Sequence, residues 1–204
     1  MSNVVIIDYG MCNLDSVARA VEECGGRPCV TQDPEKLKFA THIILPGVGA
    51  FPDAMSNMVN RGFDVAIKEQ VKSDEIPLLG ICLGMQLMAS KGEEGMEVEG
   101  LDLIPGIVKR LKPVQDSDRI PHMGWNEVVL EKESPIFTNI PSGSNFYFVH
   151  SFHFICDKEY VVGKTAYGDG LVSVVNRGNI YGTQFHPEKS QKLGFAVVRN
   201  FLKL

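Results

Sequence analysis

Apolar and polar positions alternate in blocks along the first half of the chain, and the blocks change period as they go. Val4 to Asp8 is a short apolar run of the kind a fully buried strand needs. A helix opened by Asn13 or Asp15 follows, with Val17, Ala18 and Val21 on one face, and Gly25-Gly26 stops it. Pro28 to Thr31 and His42 to Leu45 read as the second and third strands. Helical spacing returns from Ala54 to Val71, broken near Gly62. Ile76 to Ile81 is again wholly apolar and leads directly into a helical pattern over Leu83 to Ser90. Strand and helix in alternation predict a parallel sheet covered by helices on both faces.

The pattern changes near Gly106. Ile107–Leu111, Asn126–Leu130, Asn145–Phe154, Val161–Ala166, Leu171–Val175 and Asn179–Phe185 are short runs rich in β-branched and aromatic residues. Turn sequences such as Gly168-Asp169-Gly170 and Asn176-Arg177-Gly178 separate them, which predicts antiparallel additions to the sheet. Gln191 to Lys203 closes the chain as an amphipathic helix. The expected fold is therefore α/β, an open and mostly parallel sheet flanked by helices, with antiparallel strands added in the second half. With no repeat or Pro/Ser-rich linker, residues 1–204 are expected to form one domain. Glu93 to Glu99, acidic and Gly-containing, reads as a solvated loop.

Composition narrows the class of function. The 204 residues are 44% hydrophobic and 22% charged, near the average for globular proteins. A net charge of −5 without a basic stripe gives no reason to expect nucleic-acid binding. No run approaches the roughly 18 apolar residues of a membrane span, and there is no secretory leader. Five irregularly spaced cysteines, Cys12, Cys24, Cys29, Cys82 and Cys156, fit a reduced cytoplasmic chain better than a disulfide framework or a zinc site.

Gly80-Ile81-Cys82-Leu83-Gly84, set between an apolar run and a helical one, has the glycine spacing of a nucleophile elbow with cysteine at its centre. Such a turn raises the side chain at the C-terminal edge of the sheet, beside a helix N-terminus that favours a thiolate. It also leaves the Leu83 N–H free for an oxyanion. By itself the pentapeptide is equally compatible with a buried structural cysteine. A base is found in His186, extended by Pro187, with Glu188 two residues on to orient the ring. In isolation, His-Pro-Glu is a common surface turn; paired with a cysteine elbow it becomes a triad candidate. Pro46-Gly47-Val48-Gly49 offers further backbone N–H groups at Gly47, Val48 and Gly49.

Together, Gly80-Ile81-Cys82-Leu83-Gly84-Met85-Gln86 and His186-Pro187-Glu188 resemble the class I glutamine amidotransferases. Further segments resemble one subfamily, the glutaminase subunits of imidazole glycerol phosphate synthases. These are Ile7-Asp8-Tyr9-Gly10, Pro46-Gly47-Val48-Gly49-Ala50-Phe51, Pro121-His122-Met123-Gly124-Trp125-Asn126, Tyr147-Phe148-Val149-His150-Ser151 and His186-Pro187-Glu188-Lys189-Ser190. The resemblance implies hydrolysis of glutamine to glutamate and ammonia by Cys82, His186 and Glu188. It also implies a heterodimer with a (β/α)₈ cyclase subunit, which uses the ammonia in histidine biosynthesis. Glutamine is then expected near Gly49, Gln86, His150 and Ser151, and the partner near Met123, Trp125 and Lys189. The chemistry calls for no metal or organic cofactor. Cys12, where the family often has glycine, and Phe152-His153, where tyrosines are common, depart from the pattern. Three rivals stay open: another class I glutaminase, a binding-only module of the same fold, and a free-standing cysteine hydrolase.

Overall fold

The structure is a computed structural model, and it describes residues 2–72, 76–115 and 118–204. Its strands are β1 (Asn3–Ile7), β2 (Arg27–Thr31), β3 (His42–Leu45), β4 (Leu78–Ile81), β5 (Lys91–Gly92), β6 (Val98–Glu99), β7 (Gly106–Arg110), β8 (His122–Leu130), β9 (Ser144–His150), β10 (Phe152–Cys156), β11 (Val161–Thr165), β12 (Leu171–Arg177) and β13 (Ile180–Thr183). The α-helices are α1 (Leu14–Glu23), α2 (Phe51–Asn60), α3 (Phe63–Val71), α4 (Leu83–Leu87) and α5 (Gln191–Phe201).

The main sheet has the order β2-β1-β3-β4-β13-β12-β11-β8-β9. Its first five strands are parallel and the rest antiparallel. Continuous apolar sequence in β1, β3 and β4 follows from burial on both faces, because alternate side chains enter opposite cores. Val5, Ile7, Ile43 and Leu45 pack with Met55, Met58, Phe63 and Ile67 of α2 and α3. Val4, Ile6, Ile44 and Ile81 pack with Val17, Val21, Val197 and Phe201 of α1 and α5.

Several expectations need correction. The run Asn179–Phe185 is not an antiparallel addition: β13 lies parallel to β4, with Gly182 opposite Gly80 and Thr183 opposite Ile81. The run Asn145–Phe154 is not one strand. It breaks at Ser151, because Phe146 and Phe148 belong to one core and Phe154 to the other. Past that crossing, β10 joins β7, β5 and β6 in a separate four-stranded sheet, so Ile107–Leu111 also lies outside the main sheet. The helix expected over Leu83–Ser90 closes early, α4 being a five-residue element.

Candidate active site

Cys82 sits between β4 and α4 with φ 54° and ψ −109°, a backbone state costing a non-glycine residue on the order of 1–3 kcal/mol. Its N–H donates to the Thr183 carbonyl of β13 at 2.8 Å, and its carbonyl accepts from the Gln86 N–H at 3.2 Å. The flanking glycines are steric necessities. A Cβ at Gly84 would lie 1.8 Å from the Leu45 carbonyl oxygen, and one at Gly80 would lie 2.8 Å from the Gly84 oxygen. The thiol is 6% exposed and opens onto a cavity of about 360 Å³, at the lower end of small-molecule sites. α4 is too short to carry much of a macrodipole, so the electrostatic help comes mainly from side chains.

The parallel pairing of β13 with β4 carries the chain past Thr183 to His186, which lines the same cavity as Cys82. The His186 N–H donates to the Tyr147 carbonyl of β9 at 2.9 Å, and Ser190 Oγ donates to the His186 carbonyl at 2.6 Å. Nδ1 is 2.8 Å from Glu188 Oε1, with both side chains almost fully buried. A carboxylate can only accept, so Nδ1 carries the proton there. Nε2 is buried without another hydrogen-bond partner and is the nitrogen left for the sulfur. Burial pulls the His186 pKa down, but the charge of Cys82 and the bond to Glu188 push it up by more, and it ends above its ordinary range. A protonated imidazole beside Cys82 is the state this favours.

The oxyanion candidates divide. At the first position of a helix the Leu83 N–H has no intrahelical acceptor. Val48 and Gly49 line the cavity, but the Val48 N–H is committed to the Met11 carbonyl at 2.9 Å. Gly47 lies beneath: a Cβ there would come within 2.2 Å of the Tyr9 hydroxyl and 3.0 Å of Leu83 Cβ.

Gln86, His150 and Ser151 all line the cavity. The Gln86 amide nitrogen is already engaged, donating to the Phe152 carbonyl at 2.8 Å and to Gln184 Oε1 at 3.0 Å. His150 is held likewise. Nδ1 donates to the Phe152 carbonyl at 2.8 Å, which leaves Nε2 to accept from His122 Nδ1 at 3.0 Å. Burial keeps both rings neutral, with pKa values pushed down to about 4 for His122 and about 3 for His150. On the opposite side of β8, Met123 is 67% and Trp125 48% exposed, with Trp125 edge-on to Tyr147 of β9. Lys189 is half-buried in the turn after His186.

Two residues at the site escaped the sequence reading. Glu94, from the acidic tract read as solvated, lines the cavity and caps α2 by accepting from the Phe51 N–H at 2.8 Å. Gln184 is wholly buried, and its Nε2 lies 3.7 Å from Cys82 Sγ. The period of two in extended backbone was the available signal, since Gln184 stands two residues before His186. Among the described residues, no group of three or more His, Cys, Asp or Glu side chains is placed to hold a metal ion. Nor is any helix among them long and apolar enough to cross a membrane.

The chain is similar to known proteins in both sequence and fold. The family model described as glutamine amidotransferase class-I matches residues 5–204. The imidazole glycerol phosphate synthase subunit HisH of Moorella thermoacetica is 48% identical, with 100% of this chain and 96% of that protein covered. The HisH subunit of Archaeoglobus fulgidus is 43% identical over 98% of both chains. Among solved structures, a putative GMP synthase subunit from Thermoplasma acidophilum superposes with TM-score 0.75 at 21% identity, covering 100% of this chain and 93% of that one. PurLQS from Thermotoga maritima gives TM-score 0.76 at 19% identity, covering 100% and 99%. At such identities the structural matches speak for the fold alone.

Proposed function

The chain belongs to the class I glutamine amidotransferases, among the HisH subunits of imidazole glycerol phosphate synthase, and on that footing we propose how its residues act. It hydrolyses glutamine to glutamate and ammonia. The observation that carries the reading is that Cys82 and His186 line one cavity, with Glu188 behind the imidazole and holding it at 2.8 Å. The Cys82 thiolate attacks the carboxamide carbon, and the carbonyl electrons move onto oxygen beside the Leu83 N–H. His186, protonated at Nε2, gives its proton to the departing ammonia as the C–N bond breaks. Water, deprotonated by the same nitrogen, then resolves the thioester to glutamate. Glu188 holds the tautomer and balances the imidazolium charge.

In this reading Glu94, the one carboxylate lining the cavity among the described residues, takes the α-ammonium of glutamine, with Ser151 and Gly49 on its other polar groups. The whole chain works as one domain in the cytoplasm, in a heterodimer whose cyclase partner uses the ammonia in a lyase reaction of histidine biosynthesis. The exposed Met123 and Trp125, with Lys189 nearby in sequence to the triad, form the partner's face. Because the Val48 N–H is held by Met11, the isolated chain has Leu83 as its ready oxyanion donor. Docking that releases Val48 adds a second donor.

An electrophilic glutamine analogue tests the nucleophile. It is expected to label Cys82 stoichiometrically, with protection by glutamine and no labelling of Cys82→Ser. Retention of glutamine hydrolysis by Cys82→Ser would sink the mechanism.

A further inference from the structure

Two buried carboxamides stand behind Cys82, and their polarity follows from one backbone group. Gln86 and Gln184 are 4% and 0% exposed. The Phe152 carbonyl can only accept, so the Gln86 group bonded to it at 2.8 Å is the NH₂. The second proton of that NH₂ meets Gln184 at 3.0 Å, so Gln184 must present its oxygen there. Its own NH₂ is therefore turned the other way, where Nε2 lies 3.7 Å from Cys82 Sγ. The backbone on either side is fixed, since the Gln184 N–H donates to the Ser173 carbonyl at 2.9 Å and the Thr183 carbonyl accepts from Cys82.

We propose that Gln184 is a further catalytic residue, its carboxamide N–H hydrogen-bonding the Cys82 sulfur and stabilising negative charge on it, with Gln86 as the positioning residue that orients the amide. A buried amide donor aimed at an anionic sulfur makes a charge-assisted bond, stronger than a neutral one. It acts when the thiolate waits, and again when the thioester breaks and the sulfur leaves with its electron pair. A purely structural amide pair would be indifferent to the charge on sulfur. The inference rests on the reading of Cys82 as nucleophile.

The test is the pH dependence of Cys82 alkylation by iodoacetamide in the full-length chain, without glutamine or partner. Mass spectrometry of the Cys82 peptide separates it from the other four cysteines. The titratable groups facing Cys82 are His186 with its Glu188, Tyr9 and, lining the same cavity, Glu94 and His150, and the variants leave all of them in place. Gln184→Met is expected to move the midpoint of the alkylation profile up by about one pH unit and to slow alkylation about tenfold at pH values below the wild-type midpoint. Gln184→Glu, nearly isosteric, places a carboxylate oxygen against the sulfur and is expected to move the midpoint further. In the assembled enzyme both lower kcat more than they raise KM. Wild-type profiles in folded variants would overturn the proposal, and if Gln184→Met does not fold, Gln184→Glu decides alone. Failure of the wild type to hydrolyse glutamine would instead remove the glutaminase reading and leave the alkylation profiles as they are.

Discussion

At the scale of single residues, the site is a set of groups each held away from its ordinary state. Cys82 has a backbone state that a side chain resists, His186 is protonated in the interior, and Glu188 Oε2 is buried with no hydrogen-bond partner. The strained Cys82 backbone and the unpaired Glu188 oxygen both oppose folding, the pattern expected where function is bought with stability. Glu188→Gln is expected to lower kcat on the order of 10³-fold or more with little change in KM, because the ring loses its tautomer and its counter-charge. Its melting temperature should fall as well, since removing one partner of a buried pair leaves the charge on His186 uncompensated. Steady-state kinetics beside a thermal melt checks both. Cys82 was legible in the sequence because its glycines act over two residues, and His186 with Glu188 because proline and extended spacing are local. Gln184 and Glu94 were not read, because their partners lie 102 and 43 positions away; the spacing of Gln184 from His186 hints at a shared face but not at a role, and nothing local selects one acid of a tract.

At the scale of elements, two close approaches organise the chemistry. Gly84 lets α4 rest on β3, and Gly84→Ala is expected to destabilise the protein by roughly 2 kcal/mol or more, because the Leu45 carbonyl, 1.8 Å from the added Cβ, cannot yield without parting strand from helix. Denaturant titration measures it. In the β8–β9 pair, His122 stacks on Tyr167 and donates to His150. The folded pKa of His122 is about 4 against 6.5 for the free group, so the unfolded chain takes up a proton that the folded chain refuses. Stability from this source is complete above pH 6.5 and is lost as pH falls from there to about 4. Melting temperature should decline across that window, and His122→Phe, which keeps an aromatic ring on Tyr167, should decline less steeply. Periodicity revealed the parallel half of the sheet, since strands buried on both faces are apolar throughout. It could not reveal that β13 returns to pair with β4, nor that Ser151 hands the chain to a second sheet. Those are long-range pairings, and a short strand reads the same whichever neighbour it takes.

At the scale of the whole molecule, the parallel strands end at a cavity lined by Cys82 and His186, while β8 carries exposed Met123 and Trp125 on one side and His122 on the other. The register of β8 on β9 sets His122 opposite His150, so the exposed face proposed for the partner is one strand pair away from the cavity. Met11, which holds the Val48 N–H, is partly exposed, and under the proposed gating it is the contact that docking loosens. One oxyanion donor is worth about 3 kcal/mol, or on the order of 10²-fold in rate. The decisive experiment is glutamine hydrolysis by the wild-type chain and by Cys82→Ser, each alone and with the cyclase subunit. Slow hydrolysis is expected from the isolated wild type, an increase on the order of 10²-fold or more with the partner, and none from Cys82→Ser in either state. Equal rates with and without the partner, or turnover by Cys82→Ser, would overturn the assignment of Cys82 as a nucleophile that waits on its oxyanion loop.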